Sequence, residues 1–184
     1  MQSVPNCSCK DPLLAEPRFE REGWMEAHQL NQLLMRNFSD NHRQPDVVFL
    51  GDSITEEWNG RHHGNKTIRL NQTHAVFQDY FQKRYGAQFE GLALGIAGDK
   101  TRNLLWRLQN GEMPQNLNPK VWWIHIGTND FLLHKCNQDI VFIGIIRIVR
   151  EIIIQKPNTI IVINGVLPTT LRKDGRLTTD SSHD

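Results

Sequence analysis

Residues 47–58, VVFLGDSITEEW, join four apolar residues directly to Gly51, Asp52 and Ser53 and then to a helix start. A short apolar run of this kind is typical of a strand that is buried on both faces. A serine that follows such a strand lies on a strand-to-helix turn, where free backbone N–H groups can stabilise an oxyanion. The pattern therefore makes Ser53 the best candidate nucleophile of the chain.

Strands alternate with helices along the rest of the chain. The sequence predicts strands at 46–50, 89–95, 121–126 and 159–164, and helices at 24–37, 74–85, 100–110 and 139–155. Alternation of apolar strands with helices indicates an α/β fold, with a parallel sheet covered by helices on each side. We expect 59–73, which is rich in Gly, His, Asn and Lys, to be a surface loop.

Length and charge limit the classes of partner. The chain has 184 residues and a formal net charge of +1, which suits one domain and gives no basic surface for nucleic acid or an anionic membrane. Its longest apolar stretch, 140–154, contains Arg147, Arg150 and Glu151 and is too short to span a bilayer. We expect this stretch to be a buried helix.

The cysteines and asparagines point to different compartments. Cys7, Cys9 and Cys136 cannot all pair, and the spacing of the first two is too tight for a usual zinc site, so we expect reduced thiols. The polar N-terminus, which shows no signal peptide, slightly favours the cytoplasm. Secretion stays open because there are more N-glycosylation triplets than composition predicts, at Asn6, Asn37, Asn65 and Asn71.

Three predicted strands end in groups that suit acyl transfer. Ser53 follows the first strand, Gly98 the second and Asn129 the third, and active sites of open parallel sheets form at these strand ends. Together they supply a hydroxyl nucleophile, an unobstructed backbone N–H and a carboxamide donor. Singly, each has an ordinary explanation as a helix cap, a turn glycine or an Asx turn. Their joint placement predicts an active site.

Three motifs in chain order carry a family resemblance. They are Gly51-Asp52-Ser53, Gly95-Ile96-Ala97-Gly98-Asp99 and Gly127-Thr128-Asn129-Asp130. They resemble blocks I, II and III of the SGNH hydrolases, also called GDSL esterases and lipases. Residues 98–112, GDKTRNLLWRLQNGE, and 24–28, WMEAH, are most similar to the catalytic α subunits of intracellular platelet-activating-factor acetylhydrolase. The resemblance covers about 23–168.

This resemblance implies a flavodoxin-like, three-layer α/β/α fold and hydrolysis of a small-molecule ester with a short acyl or acetyl group. Ser53 would be the nucleophile. Its own N–H, the Gly98 N–H and the Asn129 side chain would form the oxyanion hole. Neither a metal nor a cofactor is implied, and a homo-oligomer stays open.

The C-terminal region departs from the family pattern. We divide the chain into an N-terminal arm, 1–22, an SGNH hydrolase-like domain, 23–168, and a polar tail, 169–184. The family takes its catalytic Asp-x-x-His from a further strand and helix, and such a unit needs roughly 30 residues. Four strands are visible, so we expect the fifth strand and the closing helix to be absent from this chain.

The histidine that would activate Ser53 is the open question. Asp180 and His183 form an Asp-x-x-His pattern in a tail that is long enough to reach Ser53, although a chance match would explain the same letters. The alternative to a serine esterase is therefore an incomplete fragment or a non-catalytic binding subunit that lacks the catalytic Asp/His block. His125 is expected to be a satisfied core or interface residue, and the pair His62 and His63 a solvated loop.

The helix after Gly98 carries charged residues with a structural interpretation. We expect Asp99 to cap the helix that begins at Lys100. Arg102 and Arg107 are expected on the polar face of this helix.

Overall fold

A computed structural model describes residues 9–41, 43–134 and 136–167. The helices are α1 Trp24–Asp40, α2 Ser53–Glu57, α3 Asn71–Phe81, α4 Thr101–Gln109, α5 Thr128–His134 and α6 Gln138–Gln155. The strands are β1 Val47–Gly51, β2 Arg61–His62, β3 Asn65–Lys66, β4 Gly91–Gly95, β5 Val121–His125 and β6 Ile160–Ile163. The hypothesis that Asp180 and His183 act on Ser53 concerns residues outside the described part of the chain.

Four strands form one parallel sheet in the order β4-β1-β5-β6. Gly51 at the end of β1 pairs with Gly95 of β4 and His125 of β5, so three strands end at the same level. The predicted α/β class with a parallel sheet is confirmed. In the described part of the chain β6 is an edge strand, and its apolar residues Ile160 and Ile163 are 62% and 46% exposed.

The main core lies on the sheet face that α1, α4 and α6 cover. It contains Val48, Leu50, Leu94, Trp122 and Ile124 from the strands together with Met35, Leu104, Leu105, Leu108, Ile145, Ile148 and Ile152 from the helices. Each fully buried side chain of this size contributes about 1.5–3 kcal/mol through removal of apolar surface from water. This face therefore fixes the strands, and with them the ends from which the candidate site is built.

The opposite face has an aromatic core under α3. Phe49 of β1 packs edge-to-face against Trp58, Phe77 and Phe81. Beside α3 the described residues leave an open apolar groove of about 830 Å³, which Phe49 and Trp123 help to line. The sheet thus has helices on both sides, as the three-layer prediction requires.

The segment 59–73 is more ordered than the loop prediction implied. It contains the antiparallel hairpin β2–β3, a 3-10 turn at Ile68–Leu70 and the first residues of α3. The Glu56 carboxylate holds the hairpin, since it accepts hydrogen bonds from the backbone N–H groups of His63 at 3.0 Å and Gly64 at 2.6 Å. Local composition could not show this because the anchor lies outside the segment.

One helix prediction needs correction, and one short helix was not predicted. The helix expected at 74–85 begins earlier, at Asn71, and ends at Phe81, before a separate 3-10 turn at Lys83–Tyr85. The segment that follows Gly127 forms the short helix α5, where turn chemistry had suggested an Asx turn. Short polar segments of this kind adopt either structure, and tertiary contacts decide between them.

The apolar helix α6 is buried on one face only. Val141, Ile145, Ile148 and Ile152 pack into the main core, whereas Phe142 and Ile154 are 60% and 63% exposed. The buried-helix prediction is therefore correct for half of its surface. Among the residues that the structure describes, no helix combines the length and hydropathy that a membrane crossing requires.

A disulfide joins Cys9 to Cys136, with Cα atoms 5.5 Å apart. The expectation of reduced thiols is therefore wrong for this pair, which lies 127 residues apart in sequence. The bond ties the N-terminal arm to the segment between α5 and α6. The arm also packs on α4, because the carbonyl of Glu16 accepts a hydrogen bond from the Asn103 side chain at 2.9 Å.

Candidate active site

Ser53 is the first residue of α2, directly after β1, and its side chain is partly buried. The Asp52 carboxylate caps this helix by accepting a hydrogen bond from the Ile54 N–H at 3.1 Å. Glycines before the turn let α2 lie against the strand ends. A Cβ at Gly51 would come within 2.2 Å of Thr55 Oγ1, and one at Gly95 within 2.2 Å of the Glu56 nitrogen.

The loop after β4 is held by Glu56 and carries Gly98. The Ala97 N–H donates to the buried Glu56 carboxylate at 2.7 Å. Gly98 has a φ of +80°, a left-handed conformation that glycine adopts without strain. The Arg18 guanidinium lies so close that a Cβ at Gly98 would approach its Nη1 to 2.9 Å. No described residue accepts a hydrogen bond from the Gly98 N–H.

Asn129 connects the two other predicted residues. Its Nδ2 donates to the backbone carbonyl of Asp99 at 2.9 Å and to the Asp52 carboxylate at 3.3 Å. Asp52 precedes Ser53 and Asp99 follows Gly98, so one carboxamide links both loops. The structure therefore brings Ser53, Gly98 and Asn129 together at the carboxyl ends of β1, β4 and β5.

Asp130, the next residue, holds the start of α4. Its carboxylate accepts hydrogen bonds from the Thr101 N–H at 3.1 Å and the Thr101 hydroxyl at 2.8 Å. The prediction that Asp99 caps this helix is therefore wrong. Asp99 instead accepts a hydrogen bond from the Trp24 indole N–H at 2.7 Å.

A buried ionic cluster supports the floor of the site. Arg107 has a fully buried side chain that pairs with Asp99 at 2.8 Å and Glu112 at 2.6 Å, so its predicted place on a polar face is wrong. Its guanidinium also donates to the carbonyl of Gly51 at 3.0 Å and that of Leu94 at 3.2 Å. Arg107 therefore links the ends of β1 and β4 to the loop that carries Gly98.

His28 completes this cluster from α1. Its Nδ1 lies 2.8 Å from the Glu112 carboxylate, and its ring stacks on Trp24 with centroids 5.9 Å apart. Sequence reasoning found this histidine only through the family resemblance. The available signal was charge: Arg107 and Glu112 lie five residues apart around the end of one amphipathic helix.

Burial changes the acidity of the carboxyl groups below Ser53. Desolvation raises the pKa of Asp52 to about 6, and the nearby Asp99 carboxylate acts in the same direction. Desolvation likewise raises the pKa of Asp99 to about 6, although Arg107 opposes the shift. The pKa of Asp130 is also raised by burial. Ionisation of a carboxyl group in this site therefore costs free energy unless hydrogen-bond donors surround the charge.

Asp52→Asn is expected to change how stability depends on pH. The unfolded chain releases the Asp52 proton near 3.8, whereas the folded chain holds it to about pH 6. Because the folded state binds more protons in this window, Asp52 contributes stability that is lost as pH rises from about 4 to about 6. Removing the charge should raise the free energy of unfolding, relative to wild type, by roughly 3 kcal/mol more at pH 7 than at pH 4.

Urea unfolding at several pH values measures this difference, and Asp79→Asn on the exposed face of α3 is the matched control. The control should track wild type at every pH. A constant offset between Asp52→Asn and wild type from pH 4 to 7 would contradict the raised pKa.

Among the histidines whose side chains the structure describes, none forms a hydrogen bond with Ser53. His125 is 4% exposed, burial lowers its pKa, and its Nε2 has no described partner, so the core prediction is correct but the ring is not satisfied. His62 lies 3.3 Å from Glu57, and His63 contacts Arg21. In the described ranges no three His, Cys, Asp or Glu side chains cluster as a metal site requires.

The structural class is an α/β fold with a parallel sheet. It carries a serine, a glycine and an asparagine at adjacent strand ends. The family model for GDSL-like lipases and acylhydrolases matches residues 49–182. The chain belongs to this GDSL-like lipase/acylhydrolase family, as the motif resemblance predicted. The matched range begins within β1 and extends into the tail beyond the described residues.

Curated relatives agree with the closer resemblance. The chain is 32% identical over 157 residues to platelet-activating factor acetylhydrolase IB subunit alpha2 of Homo sapiens, covering 85% of this chain and 57% of that protein. It is 30% identical over 146 residues to subunit alpha1 of Bos taurus, covering 79% of this chain and 51% of that one. The chain thus spans little more than half the length of these relatives.

A solved structure supports the fold. A GDSL-like lipase from Bacteroides thetaiotaomicron superposes with a TM-score of 0.53 at 22% sequence identity, over 84% of this chain and 63% of that chain. At 22% identity this comparison supports the fold alone.

Proposed function

We propose that this protein hydrolyses esters through an acyl-enzyme formed on Ser53. The observation that carries this function is the Asn129 carboxamide, which bonds the residue before Ser53 and the residue after Gly98. In this proposal the oxyanion is held by three donors: the Ser53 N–H, the Gly98 N–H and the Asn129 Nδ2. Such preorganised donors stabilise the oxyanion of a tetrahedral intermediate.

The proposed reaction has two halves. Ser53 Oγ attacks the ester carbonyl, and the oxyanion accepts hydrogen bonds from the three donors. Asn129 gives up its longer bond, 3.3 Å to Asp52, to reach the oxyanion. The alcohol leaves, and water then hydrolyses the acyl-enzyme to release the acid and restore Ser53.

Ser53 requires a general base, and we assign this role to His183, oriented by Asp180. The family match extends to residue 182, so it includes Asp180 and ends one residue before His183. Both residues lie outside the described part of the chain. Loss of activity in His183→Ala, with a normal unfolding transition, is the expected result.

Short acyl groups, acetyl above all, are the substrates we propose. Support comes from the relatives, which are subunits of platelet-activating factor acetylhydrolase. The rates at which the protein hydrolyses a panel of acetyl esters would identify the class of alcohol.

Fluorophosphonate labelling tests the function without a guessed substrate. The reagent reacts with activated serines, and we expect one adduct on the folded chain, mapped by tandem mass spectrometry to the peptide with Ser53. The urea-unfolded chain is the control and should not react. A folded chain that stays unlabelled would contradict the esterase and favour a non-catalytic member of the family.

Asn129→Ala is expected to lower kcat by about 10²- to 10³-fold with little change in KM, because it removes one oxyanion donor. Steady-state hydrolysis of an acetyl ester measures this. Asn164→Ala is the matched control, since Asn164 follows β6 as Asn129 follows β5 and is only partly buried. Equal kcat values for both variants would rule out Asn129 as a donor.

A further inference from the structure

Two N-glycosylation triplets with exposed asparagines lie close together in the sequence, Asn65-Lys66-Thr67 and Asn71-Gln72-Thr73. Asn65 lies in β3, and its amide donates only to the carbonyl of His63, at 3.2 Å. Asn71 is the first residue of α3, and no described group hydrogen-bonds its side chain. Both side-chain nitrogens are therefore accessible from solvent.

Composition makes these triplets hard to attribute to chance. The chain has 15 asparagines among 184 residues, and about one triplet would be expected by accident from its Ser and Thr content. Four are present, and the three whose asparagine is described, at Asn37, Asn65 and Asn71, all expose that asparagine. Surface placement is what glycan attachment requires.

The disulfide is an independent observation that points to the same compartment. Cys9 and Cys136 are joined in the folded chain. Disulfides form and persist in the oxidising secretory pathway and are rare in the cytosol, where thiols are kept reduced. N-linked glycans are added in that same pathway. The disulfide and the glycosylation triplets therefore both point to an oxidising secretory compartment.

We propose that Asn65 and Asn71 carry N-linked glycans and that the protein matures in an oxidising secretory compartment. This goes beyond the proposed esterase function and does not depend on it. The donor is a lipid-linked oligosaccharide pyrophosphate. Each asparagine Nδ2 forms a bond to C1 of the first sugar, the C1–O bond to the pyrophosphate breaks, and the amide loses one proton.

The disulfide forms by exchange. The thiols of Cys9 and Cys136 lose two protons and two electrons to the disulfide of a thiol–disulfide oxidoreductase, which is reduced to its dithiol. Both modifications thus use donors of the same pathway.

The surroundings of the two asparagines fit a glycosylated surface. Ile68 lies between them in sequence and is 87% exposed, and Val76 and Tyr80 on α3 are 52% and 68% exposed. Hydrophilic glycans at Asn65 and Asn71 would screen these apolar side chains from other molecules.

Peptide mapping of the full-length protein from its natural source tests the assignment. Digestion with peptide-N-glycosidase in ¹⁸O-labelled water converts each glycosylated asparagine to ¹⁸O-aspartate. We expect this conversion at Asn65 and Asn71, and a linked pair of Cys9 and Cys136 peptides before reduction. Unconverted asparagine at either position overturns that site. Alkylation of Cys9 and Cys136 before reduction overturns the compartment.

Variants expressed through a eukaryotic secretory pathway check each site by mass. Asn65→Gln and Thr73→Ala should each remove one glycan, whereas Thr73→Ser keeps the triplet and should keep the glycan. Asn158→Gln, at an exposed asparagine outside any triplet, should change nothing. An unchanged glycan count in Thr73→Ala would overturn glycosylation of Asn71. Because mass is read, failure of the esterase function would not affect the result.

Discussion

Ser53→Ala is expected to lower acetyl-ester turnover by on the order of 10⁴- to 10⁶-fold, because no covalent intermediate can form without the hydroxyl. The proposed oxyanion donors at Gly98 and Asn129 stay in place, so some rate above that of water should persist. Alanine should also leave α2 intact, since Asp52, not Ser53, caps that helix. Steady-state kinetics under substrate saturation measure the fall.

Ser39→Ala provides the matched control for this loss. Ser39 is the other serine that the structure describes, and it lies in α1, where its hydroxyl donates to the carbonyl of Arg36 at 3.1 Å. The control should keep wild-type kcat and KM. Ester turnover that survives in Ser53→Ala but depends on another residue would exclude the proposed mechanism.

The strand ends could be predicted from the sequence because each apolar run stops at a glycine-bearing turn. β1 was expected to end at Leu50 and ends at Gly51. Parallel strands share one edge for their carboxyl ends, so the proximity of Ser53, Gly98 and Asn129 follows from that topology. The chemical roles of the three residues stay predictions that the kinetics above will test.

The contacts that hold these strand ends could not be predicted. Arg107 reads as a surface residue on a helix that also carries Arg102, yet it is fully buried. Its partners Asp99, Glu112, Gly51 and Leu94 lie in separate segments of the chain, and only the three-dimensional fold brings them together. The Cys9–Cys136 disulfide is hidden for the same reason, since spacing along the chain does not determine which cysteines meet. The periodicity of apolar residues predicts local secondary structure, but it does not show which distant residues pair.

Arg107→Met is expected to reduce the free energy of unfolding by about 3–5 kcal/mol, because it leaves the Asp99 and Glu112 carboxylates buried without their cation. Both carboxylates are fully buried and pair with Arg107 at 2.8 and 2.6 Å. Methionine keeps much of the side-chain volume, so the loss should reflect charge rather than a cavity. Urea unfolding at pH 7 measures it, with Arg150→Met on exposed α6 surface as the control.

Two further measurements separate an unpaired charge from simple loss of packing. The destabilisation should shrink as pH falls from 7 towards about 6, because loss of Arg107 raises the pKa of Asp99 further, so that the variant takes up this proton at a higher pH than wild type. Combining Arg107→Met with Asp99→Asn and Glu112→Gln should recover part of the stability at pH 7, since no charge is then left unpaired. A triple variant that is less stable than Arg107→Met alone would show instead that Arg107 acts mainly through its bonds to the carbonyls of Gly51 and Leu94.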